Sequence, residues 1–182
     1  MKVDRMPPVS FRPLKPGEVT KAVDFVLKVF TECVALQFSQ EGIAEFKTFV
    51  CTDAMTERLK AGNILLVAES GQNIVGFIEI RENKHIALLF VEGAHQRKGI
   101  GKELIRRSIS LCRQHKPDIR RVTVNSSPNA FISYQKFGFE GVEGEKVVNG
   151  IRFIPMEFII EDNGGSPPAN STGPKHRNAD SL

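Results

Sequence analysis

His85–Gln114 reads HIALLFVEGAHQRKGIGKELIRRSISLCRQ, and the order of its parts decides the architecture of the chain. A short apolar run, His85–Val91, ends in a turn. A basic loop with two glycines follows, Gln96-Arg97-Lys98-Gly99-Ile100-Gly101, and an amphipathic helix begins inside it. Leu104, Ile105, Ile109, Leu111 and Cys112 recur at helical spacing and are expected to face inward. A strand feeding a glycine loop that opens a helix is a recurrent way of holding a phosphate. Glycine lets the backbone approach the anion, and N–H groups at the helix start point towards it.

Two phosphate motifs do not fit. A Walker A loop would need a glycine at Gln96 and a hydroxyl at Glu103. A dinucleotide fingerprint would need a third glycine where Leu104 stands. The loop does match the pattern Q/R-x-x-G-x-G/A.

With 182 residues the chain has room for one domain with a proper core. A hydrophobic share of 41% and a charged share of 25% are ordinary for a globular protein. The net charge of +4 is unevenly placed, because Arg97, Lys98, Lys102, Arg106, Arg107 and Arg113 crowd one stretch. A solvated helix face and an anion site both explain such a cluster, and the adjoining glycine loop favours the anion site. Nucleic acid is the poorer partner, since no zinc-finger, homeodomain or RNP signature is present and the chain has one Tyr and no Trp.

Cys33, Cys51 and Cys112 show no C-x-x-C spacing, and the four histidines show no H-x-x-x-H spacing, so no metal is expected. The cysteines read as reduced, core or half-buried thiols of helical segments. No secretory leader and no run long enough to cross a bilayer is recognisable, so a cytoplasmic protein is expected.

In chain order, Val9–Pro13 alternates as an edge strand. A helix from Pro16-Gly17-Glu18 to about Cys33 carries Val19, Ala22, Val23, Phe25, Val26, Val29 and Phe30 on one face. A second helical region spans about Glu41 to Lys60, with a break foreseen at Cys51-Thr52-Asp53. Ile64–Glu69 and Ile74–Arg81 form a hairpin, and Glu82-Asn83-Lys84 turns into His85–Val91. The last two of these strands are nearly continuous in apolar residues, as strands buried on both faces are. Arg121–Asn125 is a further strand and Asn129–Phe137 a short helix stopped by Gly138. Phe139–Val148 and Gly150–Ile160 close the fold as a hairpin about Asn149-Gly150. Residues 1–161 are expected to be one domain. Residues 162–182, rich in Gly, Pro, Ser and Asn, are expected to be a disordered tail.

The order β-α-α-β-β-β-α-β-α-β-β implies an α/β fold with a mixed sheet flanked by helices. Together with the loop Gln96–Gly101 it resembles the GCN5-related N-acetyltransferase (GNAT) superfamily over Val9–Ile160. Ala130-Phe131-Ile132-Ser133-Tyr134-Gln135-Lys136-Phe137-Gly138-Phe139 is similar to that family's A-x-x-x-Y-E-K-x-G-F segment. The resemblance implies a mostly antiparallel central sheet and acetyl-CoA as co-substrate.

The resemblance also implies roles for individual residues. Backbone groups of Phe90 and Val91 would pair with the pantetheine arm. Gln96, Arg97, Lys98, Gly99, Ile100, Gly101 and Lys102 would receive the CoA pyrophosphate. Tyr134 would protonate the departing thiolate, a packing role being its alternative; a phenol is protonated at neutral pH and close enough to a thiol in basicity to donate. Asn129 would cap the short helix or contact CoA, with capping the simpler assignment, and Ser127 stands where the family often has Asn. Glu79 and Glu92 are the two candidates for general base: Glu79 through partial burial between Ile78 and Ile80, unless it pairs with Arg81.

The implied activity is acetyl transfer to a primary amine of a small molecule or peptide by direct attack. The rival is a non-catalytic acyl-CoA sensor or interaction module. Phe38, Phe46 and Phe49 are either pocket or core. The acceptor, and whether the protein is a homodimer, are left open by the sequence.

Overall fold

The computed structural model describes residues 7–161; the expected disordered tail lies outside the described residues. Among these, the strands are β1 (Val9–Pro13), β2 (Ile64–Ser70), β3 (Asn73–Arg81), β4 (His85–Val91), β5 (Arg121–Ser126), β6 (Glu140–Gly141), β7 (Lys146–Val148) and β8 (Ile151–Ile159). The helices are α1 (Val19–Cys33), α2 (Gln40–Val50), α3 (Thr52–Lys60), α4 (Ile100–His115) and α5 (Phe131–Lys136). The strands run in the order β1-β2-β3-β4-β5-β8-β6, with β7 paired to β8. Only β4 and β5 run parallel, so the sheet is mixed and mostly antiparallel, as the sequence implies.

Two apolar layers clamp this sheet. Leu104, Ile105, Ile109 and Cys112 of α4 pack on Ile64, Leu66, Ile78 and Ile80. On the other face Val19, Val23, Val26 and Val29 of α1 pack with Val50 and Met55 on Leu65, Val67 and Phe77. Strands β2 and β3 are therefore covered on both sides, whereas β4, expected to share this, is buried only at Ile86 and Leu88, since beyond Ile86 it has no strand on its other edge. At Gly76 a Cβ would stand 2.9 Å from Ile100 Cγ2 and 3.1 Å from Leu104 Cδ1. The missing side chain lets the first turn of α4 sit tightly on β3.

The helical region 41–60 is broken where foreseen: Cys51 is extended (φ −57°, ψ 155°) between α2 and α3. Three further expectations need correction. The closing hairpin is interrupted: β6 and β7 each pair with β8, and the gap between them faces Pro155, which has no N–H to offer a partner strand. The foreseen turn itself is present, with Asn149 at φ 48° and Gly150 at φ 73°. Cys33 and Cys51 are exposed at helix ends, and only Cys112 is buried, where desolvation pushes its thiol up to about 12. Leu111 is half-buried, because it lies at the border of the inward face of α4.

Ser108 lies on that inward face, and its Oγ is buried with no hydrogen-bond partner among the described residues. An unpaired buried hydroxyl is destabilising. Ser108→Ala is therefore expected to raise stability by roughly 1 kcal/mol, measured as a higher urea midpoint with an unchanged slope.

Candidate functional site

The neighbouring strands β4 and β5 share only two rungs, His85 with Thr123 and Ile86 with Val124, and then separate. Beyond Ile86 each strand is held by its other neighbour. Phe90 and Val91 pair with Phe77 and Gly76 of β3, while Asn125 and Ser126 pair with Pro155 and Ile154 of β8. The inner edge of β4 thus presents backbone N–H and C=O groups to a wedge-shaped gap. Buried groups of this kind need partners, and an extended ligand can supply them.

A bulge shapes the upper limb of the gap. Leu88 faces Glu79 and Ile86 faces Ile80, so Ala87 has no opposite number on β3. One extra residue reverses the alternation of the strand. Ile86 accordingly joins the α4 side of the core, whereas Leu88 and Phe90 turn to the α1 side.

The loop Gln96–Gly101 closes the open end. Gln96 Nε2 donates to the carbonyl of Val91 at 3.0 Å, tying the loop to the tip of β4. Arg97 (φ 59°) and Gly99 (φ 83°) take left-handed conformations that fold the backbone round on itself. The first backbone bond of α4 runs from Glu103 N–H to Gly99 O at 3.0 Å, so the amides of Ile100 and Gly101 have no carbonyl within the helix. A loop of this kind can receive an anion. Arg97 and Lys98 lie on it and Lys102 in the first turn of α4, whereas Arg106 and Arg107 lie further along that helix. Arg106 Nη2 and Arg107 Nε bind Glu103 Oε1 at 2.7 and 2.6 Å, and the Arg107 guanidinium lies 5.0 Å above the Phe11 ring. The two arginines hold the Glu103 carboxyl down at about 2.

Tyr134 comes to the same place from α5. A Cβ on Gly101 would lie 3.5 Å from Phe137 Cζ and 3.8 Å from Val91 Cγ2, so loop, β4 tip and α5 meet there. The Tyr134 ring packs edge-on against Phe137 and Phe139, with centroids 6.2 and 5.3 Å apart. The residue is 6% exposed, and burial pushes its phenol well above the ordinary value. Asn129 does not cap α5: it is exposed in the single 3-10 turn Pro128–Ala130, Ala130 occupies the cap position, and Ser127 makes no capping bond either. The intervening turn moves the helix start beyond both side chains.

A family model for the acetyltransferase (GNAT) domain matches residues 34–160. The chain belongs to the GNAT acetyltransferases. A GCN5-related N-acetyltransferase structure from Rhodopseudomonas palustris aligns with TM-score 0.71 at 19% identity, covering 86% of this chain and 98% of that one. PaiA N-acetyltransferase from Thermoplasma acidophilum, solved in complex with coenzyme A, aligns with TM-score 0.67 at 21% identity over 84% of this chain and 99% of its own. A GNAT-family acetyltransferase from Staphylococcus aureus gives 0.65 at 16% identity, over 85% and 100%. At these identities the likeness is one of architecture. No curated protein matches the chain. Among the described residues, no helix is long and apolar enough to cross a membrane.

On this GNAT scaffold neither candidate base stands free. Glu79 is fully buried, and its partner is Arg58, not Arg81. Arg58 Nε and Nη2 reach its two oxygens at 2.7 and 3.1 Å, and Asn63 Nδ2 adds a bond of 2.8 Å. Arg58 also donates to Phe49 O at 2.7 Å and lies 4.0 Å over the Phe49 ring, so this cluster joins α2, α3 and β3. Glu92 accepts from Lys28 Nζ at 3.0 Å and pairs with His95 Nδ1 at 2.9 Å, and Lys28 is the main cause holding its carboxyl below the usual range. The Glu92 amide donates to Val75 O at 3.0 Å, which anchors the tip of β4 to β3 and, through Lys28, to α1.

Sequence reading missed Arg58, Asn63, Lys28 and the bulge at Ala87. The only signal for the first two was a carboxylate in an apolar strand, which must find a cation somewhere. Gly76, another omission, was legible in principle as a glycine inside a strand.

Two outcomes follow. Glu79→Ala, which strands the guanidinium of Arg58, is expected to cost about 3–5 kcal/mol by chemical denaturation. His85, whose Nδ1 lies 2.8 Å from Thr123 Oγ1 at the last rung, is lowered to about 4 by burial and by Arg81. The unfolded chain then binds the extra proton between the ordinary imidazole value, about 6.5, and about 4. This contribution to stability is complete above the upper limit and is lost as pH falls through the window. A His85→Asn variant should show a smaller fall in Tm between neutral pH and pH about 4.5 than the wild type.

Proposed function

We propose that this GNAT protein transfers an acetyl group from acetyl-CoA to a primary amine by direct attack. The observation that carries the reading is the parted edge of β4 running straight into the Gln96–Gly101 cradle. An extended arm lying along Phe90 and Val91 would bring its pyrophosphate to the amides of Ile100 and Gly101. Arg97, Lys98 and Lys102 would add charge to what the helix start offers. Asn129, exposed and uninvolved in capping, is free to reach the same co-substrate. A main-chain N–H near the bulge at Ala87 would polarise the thioester carbonyl as the tetrahedral charge develops.

The roles divide accordingly. Tyr134 is the proton donor to the departing thiolate: burial keeps its phenol protonated but also raises it further above a thiol, so the transfer relies on placement beside the charge that develops on sulfur. Glu79 is bound on both oxygens, and Glu92 is held ionised by a lysine, so neither is a strong base. The amine therefore reacts mainly as the fraction already neutral, and the rate should climb with pH towards the acceptor's own pKa. On this reading residues 1–161 serve as one catalytic domain, acting in the cytoplasm.

Tyr134→Phe removes one oxygen and keeps the ring. It should lower kcat by roughly 100-fold while leaving the acetyl-CoA Kd within about twofold, as read by CoA release and by calorimetry. Tight acetyl-CoA binding by the wild type without transfer to any amine would instead support a sensor module.

A further inference from the structure

The parted strands leave the acceptor side to α1, α2 and the β7–β8 turn. A chain of aromatic rings runs along it. Phe38 stands edge-on to Phe30 at 5.4 Å, Phe30 stacks on Phe46 at 3.9 Å and 13°, and Phe46 meets Phe90 of β4 at 6.0 Å. Phe30 is buried behind, while Phe38, Phe46 and Phe90 keep partly open surfaces. The rim is apolar too: Leu36 is 98% exposed, and Val147 and Val148 are exposed on the facing hairpin. Isolated exposed aliphatics need no explanation, but here they lie on the two segments that meet above the ends of β4 and β5.

That meeting is close. Ser39 N–H donates to Gly150 O at 3.3 Å, and a Cβ on Gly42 would stand 2.6 Å from the same oxygen. A side chain on Gly150 would overlap Ser39 Oγ. The turn therefore bridges the mouth, which suits a compact molecule better than a continuous polypeptide.

Four carboxylates on the surrounding elements already have partners. Glu79 is taken by Arg58 and Glu92 by Lys28 and His95. On the hairpin side Glu143 pairs with Lys146 and Glu145 with Arg152. Glu41 and Glu45 point to solvent from α2. One polar group is in want of a partner: Gln37 Oε1, in the turn that carries Leu36, is buried and makes no hydrogen bond among the described residues.

We infer that the acceptor is a small primary amine with an aryl body, an arylalkylamine, held by Phe38, Phe46, Phe90 and Leu36. This rests on the N-acetyltransferase reading above. The carboxylates Glu79, Glu92, Glu143 and Glu145 are each engaged by a cation of this chain and are not arranged for a second or third ammonium group.

The test compares kcat/KM for 2-phenylethylamine, spermidine and a short peptide with a free N-terminus, using the full chain and acetyl-CoA. 2-Phenylethylamine is expected to exceed spermidine by about tenfold or more, the scale of apolar-pocket discrimination. Leu36→Glu, at a fully exposed position, cannot perturb the core. It should reduce that ratio by about threefold or more, since it removes apolar contact and adds a charge that attracts polycations. Preference for spermidine or for the peptide, or a ratio indifferent to Leu36→Glu, overturns the inference and leaves the transferase reading intact. Acetyl-CoA binding with no acetylation of any of the three overturns both.

Discussion

The structure depends on the claims that two neighbouring strands have elsewhere. Strand β4 is bonded to β3 along its whole length and anchored at its tip by the Glu92 amide on Val75 O. Strand β5 is bonded throughout to β8. The two rungs at His85 and Ile86 are where these separate ladders touch, and the twist of the sheet carries them apart beyond it. Beyond Ile86 this edge of β4 has no neighbouring strand, and an extended ligand could complete the ladder there.

The two layers around the gap are built differently. On the α4 side the packing is aliphatic and close, with Gly76 admitting Ile100 and Leu104 against the strand. This rigid contact fixes where the helix begins, and so where its first amides point. On the α1 side the core is mostly aliphatic as well, but its border carries the half-buried rings of Phe46, Phe49 and Phe90, and the helices over it are interrupted at Cys51. On the reading proposed above, the co-substrate would meet the end of α4 that Gly76 lets pack closely on β3, and the acceptor the half-buried rings at the border of the α1 side.

Local patterns made most of this fold legible. The apolar stripe of α1 and the glycines of the 96–101 loop report backbone states that neighbours only reinforce, and Asn149-Gly150 names its own turn. Misreadings arose where a distant partner decided the outcome. Pro155 sits opposite the interruption between β6 and β7, but nothing in the sequence says which strand it faces. Glu79 was visible as a buried acid, yet its partner Arg58 is 21 residues away on α3, and no local pattern ties the two. For Asn129 and Ser127 the difference is a single turn of 3-10 helix, below the resolution of any residue pattern.

The extra residue at Ala87 has a further consequence. It acts as a parity switch: every side chain after it points to the opposite layer from the one strict alternation would choose. Pressing Ala87 into the ladder as an ordinary rung would send Leu88 and Phe90 into the α4 layer and Leu89 and Val91 into the α1 layer, whereas deleting it would leave all four where they are. In the first case the aromatic wall would lose the member that reaches the gap, and the loop would inherit a strand rotated by half a turn. The acceptor face of this protein is thus defined by which residues enter the ladder as well as by their identities.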